Sequence, residues 1–185
     1  MDPGDSGQVS SSVSYGIEYA GAPLEPNTAY TWTAEWWGSN GGQSSRSVGQ
    51  FDTGPFDEAD WHGAQWLAAL NDTISNDRSQ ERAQFRADFT LPEGRVTWAR
   101  AHVAAPGCHH IEVNGRVPSV DRMGVCVFRE PNKTVLWQTH DVTALVQPGA
   151  NAVGLLAGHV LQSHPAFSKA TPFLRALLVV CVDNN

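Results

Sequence analysis

The run RAQFRADFTL (residues 82–91) puts Ala83, Phe85, Ala87, Phe89 and Leu91 on one side of an extended chain and Gln84, Arg86, Asp88 and Thr90 on the other. Side chains of a strand alternate with period two, so this pattern describes a half-buried β-strand and fits no helix. More such runs surround it. Ala99, Ala101, Val103 and Ala105 share a face opposite Trp98, Arg100 and His102, and Val135 to His140, Ala152 to Leu156 and Phe173 to Val182 add further β-rich segments. IEVNGRVP sets Asn114-Gly115 between two of them, and Asn-Gly is a strong hairpin signal because both central residues of a type I′ turn need positive φ. Helix is scarce: Asp141 can cap one turn over Val142 to Val146, which Pro148-Gly149 stops. Many short strands around one core, with no internal repeat, predict an all-β fold, a β-sandwich or jelly roll over residues 56–185.

A second β segment precedes it. In LEPNTAYTWTAEWW, Tyr30, Trp32, Ala34 and Trp36 alternate with Thr31, Thr33, Glu35 and Trp37. Leu24, Pro26, Thr28 and Tyr30 stand at the spacing of a tyrosine corner, in which a Tyr hydroxyl bonds backbone a few residues upstream at the edge of an immunoglobulin-like sandwich. Asn40, Gly41 and Gly42 tolerate positive φ, so they suit a loop into a strand from about Arg46 to Asp52, which Gly54-Pro55 ends. A complete domain of that type takes roughly 100 residues and about seven strands. The expectation is therefore a partial immunoglobulin/fibronectin-like domain over residues 15–55, behind a disordered Gly/Ser/Asp-rich stretch at 1–14. One of Trp36 and Trp37 must face outward or toward a neighbour.

Charge and composition narrow the partners. Nineteen acidic residues against twelve Lys and Arg give a net charge of −7, which disfavours a nucleic-acid backbone or an anionic membrane. A neutral ligand fits better. MDPGDSGQVSSS has neither the basic nor the apolar region of a signal peptide, and the apolar run Ala176 to Val182 is far short of the roughly 20 residues of a membrane helix. That leaves localisation unknown, cytoplasmic by default. Cys108, Cys126 and Cys181 have no CxxC spacing and are odd in number, so they are expected to be small buried thiols. Asn71-Asp72-Thr73 and Asn132-Lys133-Thr134 match the glycosylation sequon, a pattern short enough to recur by chance.

WHGAQWLAAL (61–70), then IEVNGRVPS, then LWQTHDVTALVQPGANAVGLLAG stand in the order found in the N-terminal accessory domain of bacterial α-L-rhamnosidases, which this chain resembles over about nine tenths of its length. YAGAPLEPNTAYTWTAEWW and GQFDTG look like the end of the fibronectin-like domain that precedes it there. The resemblance implies a galactose-binding-like jelly roll that aids substrate recognition. In the full enzymes further β domains and a helical barrel with the catalytic carboxylates follow. It implies as partners rhamnose-containing or other neutral carbohydrate, bound weakly, and other domains of a larger chain, but no nucleic acid and no membrane. Two departures stand out. Family members read LGNGW or similar where this sequence has Ala157-Gly158-His159-Val160. Related jelly rolls that hold rhamnose through calcium carry Asp-Asn before the Asn-Gly hairpin, where Pro106-Gly107 stand here without a side-chain oxygen.

The ligand-binding candidates are Trp98, His110, Asn114 and His159; no catalytic residue, metal ligand or cofactor is assigned. Asp57, Glu58 and Asp60 could be cast as a glycosidase pair, but they crowd one linker and read better as a solvated acidic loop. Cys108-His109-His110 suggests zinc only superficially, since adjacent strand residues point to opposite faces. Trp side chains are the natural sugar platforms, although Trp32, Trp61, Trp66 and Trp137 are expected mostly in the core. The reading that follows is a non-catalytic carbohydrate-associated module. The alternatives are the leading part of an active α-L-rhamnosidase, or a structural scaffold.

Overall fold

The computed structural model describes residues 4–13, 15–38, 42, 46–68, 82–118, 134–158 and 172–183. All of its extended regular structure is β-strand, apart from one 3-10 turn at Ala59–Trp61. The chain divides into two compact units, one up to Asp60 and one from Trp61 onward.

In the first unit β1 (Ala29–Ala34) pairs antiparallel with β2 (Ser47–Asp52), from Ala29 opposite Asp52 to Ala34 opposite Ser47. Alternation puts Tyr30 and Trp32 on one face with their partners Phe51 and Gly49. The Tyr30 and Phe51 rings stack 5.4 Å apart. Trp32 lies flat over Gly49, where an added Cβ would come within 2.5 Å of the indole, so only glycine leaves room for that ring. The expected tyrosine corner is present, since the Glu25 backbone N–H donates to the Tyr30 hydroxyl at 2.6 Å. β1 stops at Ala34, short of the sequence expectation, so Trp36 and Trp37 lie beyond it and both are exposed. Asn40 and Gly41 lie outside the described residues.

Thr53 ties the base of this pair together. Its buried hydroxyl donates toward the Glu25 carbonyl at 2.7 Å, lies 3.2 Å from that of Thr28, and accepts the Thr28 N–H at 3.0 Å. The Thr53 N–H in turn donates to the Thr28 carbonyl.

The second unit is a two-sheet sandwich, as the alternation demands. One sheet has the order β3 (Leu67–Ala68), β9 (Phe173–Asp183), β5 (Arg95–Ala104), β7 (Trp137–Asp141); the other has β4 (Arg82–Leu91), β8 (Gly149–Gly158), β6 (His109–Val113). Each hydrogen-bonded pair is antiparallel. β4 coincides with RAQFRADFTL and pairs along its whole length with β8, from Arg82 opposite Gly158 to Leu91 opposite Gly149. The core is built from the inner faces: Ala83 of β4, Ala99, Ala101 and Val103 of β5, Ile111 and Val113 of β6, Leu155 and Ala157 of β8, and Leu174 of β9. Between β7 and β8 the Asp141 carboxylate accepts the Thr143 N–H and the chain makes a single turn. That turn drops Val142, Leu145 and Val146 into the core.

Several sequence expectations are corrected. Cys108 is disulfide-bonded, to a partner outside the described residues, and Cys181 is free and exposed, so neither is a buried thiol. Of the four tryptophans expected in the core, only Trp61 is buried, under the Arg175 guanidinium, 4.6 Å from its ring. Trp32 sits on a two-stranded sheet among the described residues, Trp66 stands just before the edge strand β3, and Trp137 begins the edge strand β7, and all three are exposed.

Thr53→Val keeps the shape of the side chain while stranding the Glu25 carbonyl and the Thr28 N–H. It is expected to destabilise the first unit by about 1–3 kcal/mol, and Thr53→Ser by much less. Denaturant unfolding followed by hydrogen exchange of the Tyr30 to Thr33 amides checks this; equal loss in both variants would show that the methyl group, not the hydroxyl, carries the effect.

Candidate functional site

The structure spreads the candidate ligand residues over separate faces. Trp98 lies on β5 at a bulge between Val96 and Trp98, and one face of its indole is taken by Arg100, 5.1 Å from the ring. Arg100 is itself fixed by the Asp141 carboxylate at 2.8 Å and the Thr143 hydroxyl at 3.0 Å. His110 points outward from β6 and contacts Glu112 at 3.1 Å. Asn114 occupies the hairpin turn, with φ of 52° followed by 73° at Gly115, the positive pair that a type I′ turn requires. Its side chain is fully used: the amide donates to the Leu145 carbonyl at 2.8 Å and to Asn151 at 2.9 Å, and its oxygen accepts the Ala152 N–H at 2.8 Å. Asn151 is buried and bonds Gln147 and Gly149 as well, so the two asparagines join the β6 hairpin to the start of β8. His159 lies outside the described residues, as do the sequons at Asn71 and Asn132.

The acidic linker braces itself. Asp57 accepts the backbone N–H groups of Ala59 and Asp60, and Asp60 accepts those of Phe56 and Asp57. Carboxylates committed to their own loop, three residues apart, are not set across a glycosidic bond. Asp57 and Asp60 behave as loop caps.

An aromatic pocket went unread in the sequence. Trp66, Leu67, Ala68, Val135 and Phe173 line a shallow cavity of about 410 Å³, a size common among small-molecule sites. The Trp66 and Phe173 rings meet edge to face 5.4 Å apart, and Trp66 is 46% exposed. Among the described residues no charged side chain lines it. Aromatic and aliphatic walls of this kind suit a ligand with an apolar face. The signal was present as Trp66-Leu67 beside a distant Phe173, but only the pairing of β3 with β9 brings the three together.

At the other edge strands, His109 of β6 and His140 of β7 meet between the sheets, Nε2 to Nε2, at 3.0 Å. Burial, then the neighbouring His140, then His110 lower the His109 pKa to about 4. On the far face of β5, His102 is wholly buried, bonded to Thr139 at 2.9 Å and set edge-on to Trp137. His109 and His110 take opposite faces, as the sequence required.

Residues 94–165 match the model of the α-L-rhamnosidase N-terminal domain, and residues 1–57 that of the Rha78A-like, N-terminal immunoglobulin domain. The chain belongs to the N-terminal region of the α-L-rhamnosidase family. Among curated relatives, an α-L-rhamnosidase of Formosa agariphila is 30% identical over 158 residues, covering 82% of this chain and 17% of that protein. One of Streptomyces avermitilis is 39% identical over 135 residues, covering 68% of this chain and 13% of that protein. The chain thus spans less than a fifth of the length of either. The solved α-L-rhamnosidase of Aspergillus terreus superposes with a TM-score of 0.80 at 23% identity, over 94% of this chain and 21% of that one. That likeness establishes the fold. In this member of the rhamnosidase N-terminal family, the Asn-Gly hairpin, the Asp141 turn and the Pro148-Gly149 turn all serve to position strands.

Asn114→Ala removes three hydrogen bonds and forces alanine into positive φ. A loss of about 2–4 kcal/mol in stability is expected, with Asn114→Gly losing less because glycine accepts the turn. Thermal unfolding measures it; a variant as stable as the parent would free Asn114 for a ligand role.

Proposed function

We propose that the chain serves as a non-catalytic carbohydrate-associated module of an α-L-rhamnosidase, and that the Trp66–Phe173 pocket is its sugar-contacting surface. The observation that carries this reading is the open aromatic cavity itself. A pyranose presents C–H groups on one face, and those groups stack on an indole while the hydroxyls stay hydrated. A net charge of −7, with no charged group among the described lining residues, favours a neutral sugar over an anionic one. Rhamnose, named in the relatives' activity, has a methyl group in place of one hydroxymethyl, which suits apolar walls further. The relatives' greater length supports the companion reading that the module works within a larger hydrolase that supplies the catalytic carboxylates.

Stacking on one exposed indole with a few hydrated hydrogen bonds, each worth about 1 kcal/mol, gives millimolar affinity, about −4 kcal/mol. Pro106 and Gly107 offer no side-chain oxygens for calcium. Titration of rhamnose followed by NMR shifts of the Trp66 indole is expected to show millimolar binding, unchanged by chelator and weakened several-fold or more in Trp66→Ala at unaltered melting temperature. Micromolar binding lost with chelator, or saturation that leaves Trp66 and Phe173 unshifted, would refute the pocket assignment. The chain alone is expected to release no nitrophenol from an aryl rhamnoside; release abolished by changing Asp57 or Glu58 would overturn the non-catalytic reading.

A further inference from the structure

Arg175 is a charged side chain buried on the outer face of a sheet. Leu174 of β9 points into the core, so Phe173 and Arg175, its neighbours on either side, share the opposite face. Phe173 is a wall of the aromatic pocket, yet Arg175, two residues on, is only 4% exposed. The segment that leads to the pocket's other aromatic wall lies over it. The guanidinium stands 4.6 Å from the centre of the Trp61 ring, and its Nε–H donates to the Ala64 carbonyl at 2.9 Å.

That segment is a tight turn. The Ala64 N–H donates to the Trp61 carbonyl at 2.9 Å, and the two residues between, His62 and Gly63, have φ of 49° and 78°. Two positive φ values in succession are the type I′ arrangement, which reverses the chain within four residues. Gln65 closes on the same turn, its side-chain amide donating to the Gly63 carbonyl at 3.0 Å. With His62 and Gly63 exposed, the turn's place against the sheet is set at its ends. Arg175 grips both: the ring of its first residue and the carbonyl of its last.

Only Gln65 separates that carbonyl from Trp66. β3 then pairs Leu67 with Leu174 and Ala68 with Phe173, and the same register carried back one residue sets Trp66 beside Arg175 and diagonally across from Phe173. The Trp66 and Phe173 rings accordingly meet edge to face at 5.4 Å. β3 is two residues long and stands at the edge of its sheet, so its own pairing holds Trp66 from one side only. The gripped turn holds it from the other.

We propose that Arg175 is the positioning residue of the pocket: by stacking on Trp61 and holding the Ala64 carbonyl it fixes the 61–64 turn, and through the turn the placement of Trp66 against Phe173 on which ligand binding depends. The role rests on the reading of that pocket as the sugar-contacting surface, and Arg175 is not itself one of the cavity's walls. Lysine cannot replace it. An ammonium is a point charge with no planar face to lay on the indole, and a lysine that reaches Trp61 has no N–H where Nε stands. A ligand finds a competent pocket only in those molecules whose Trp66 is in place; a turn released nine tenths of the time therefore weakens apparent affinity about tenfold.

The test reads the rings with and without sugar. In the unmodified 185-residue chain, nuclear Overhauser contacts are expected from Arg175 to Trp61 and from Trp66 to Phe173. The Arg175 Nε–H is expected to exchange with water roughly tenfold or more slowly than that of the exposed Arg86. Arg175→Lys and Gly63→Pro attack the clamp from its two sides. The second leaves Arg175 intact: an added Cβ at Gly63 meets nothing within 4 Å, but proline fixes φ near −65° where the turn needs 78°. Both variants are expected to weaken the Trp66 to Phe173 contact in the sugar-free chain and to lower rhamnose affinity by about three- to tenfold, while amide protection of β5 and β9 in Gly63→Pro stays at the parent level.

An arginine that only strengthened the sheet would lower the melting temperature in Arg175→Lys and leave the ring contact and the affinity of the folded molecules unchanged, and that outcome overturns the proposal. So does an Arg175 Nε–H that exchanges as fast as that of Arg86, or a Gly63→Pro variant whose Trp66 to Phe173 contact matches the parent. If Arg175→Lys does not fold, Gly63→Pro and the unmodified chain decide. Should the parent bind no rhamnose, the sugar reading fails by itself, and the ring contacts of the sugar-free chain still decide the clamp.

Discussion

Close approach of the two sheets over small side chains is the contact on which the second unit rests. Ala83, Ala99, Ala101 and Ala157 line the facing surfaces together with Val103, Val113, Leu155 and Leu174. Alanines bring the sheets near, the branched residues fill what remains, and Phe85 and Phe89 of β4 pack against the cluster. Trp66 and Trp137 lie outside this core and are both exposed.

The same approach explains why two histidines can meet. His109 and His140 occupy inward positions on edge strands, where longer apolar side chains elsewhere fill the gap. An imidazole pair spans the distance with a hydrogen bond, and so satisfies two polar groups that burial would otherwise penalise. Asn114 and Asn151 solve a similar problem at the opposite end of β6, with neutral amides that no pH change disturbs. One end of the strand is held by groups that titrate and the other by groups that do not.

Legibility in the sequence followed the range of the interaction that had to be read. β4 was recovered to the residue, because alternation is a property of neighbours. The Asn114-Gly115 turn, the Asp141 cap and the bond from Glu25 to Tyr30 were legible for the same reason. The approach of Trp66 to Phe173 and of His109 to His140 was not, since each depends on which strands become neighbours or face each other across the sandwich. Asn114 shows the limit from the other side. A residue type suited to sugar hydroxyls was read as a ligand candidate, yet its donors and acceptor are spent on backbone and on Asn151.

Thr53 has a further consequence for the first unit. Its hydroxyl reaches Glu25 and Thr28 only when Ala29 stands opposite Asp52. Sliding one strand past the other by a single residue would carry that hydroxyl about 3.3 Å along the chain, out of reach of both, and would turn Trp32 away from the one partner with no side chain. Two strands alone could be threaded in several ways; the threonine acts as an index mark that admits one.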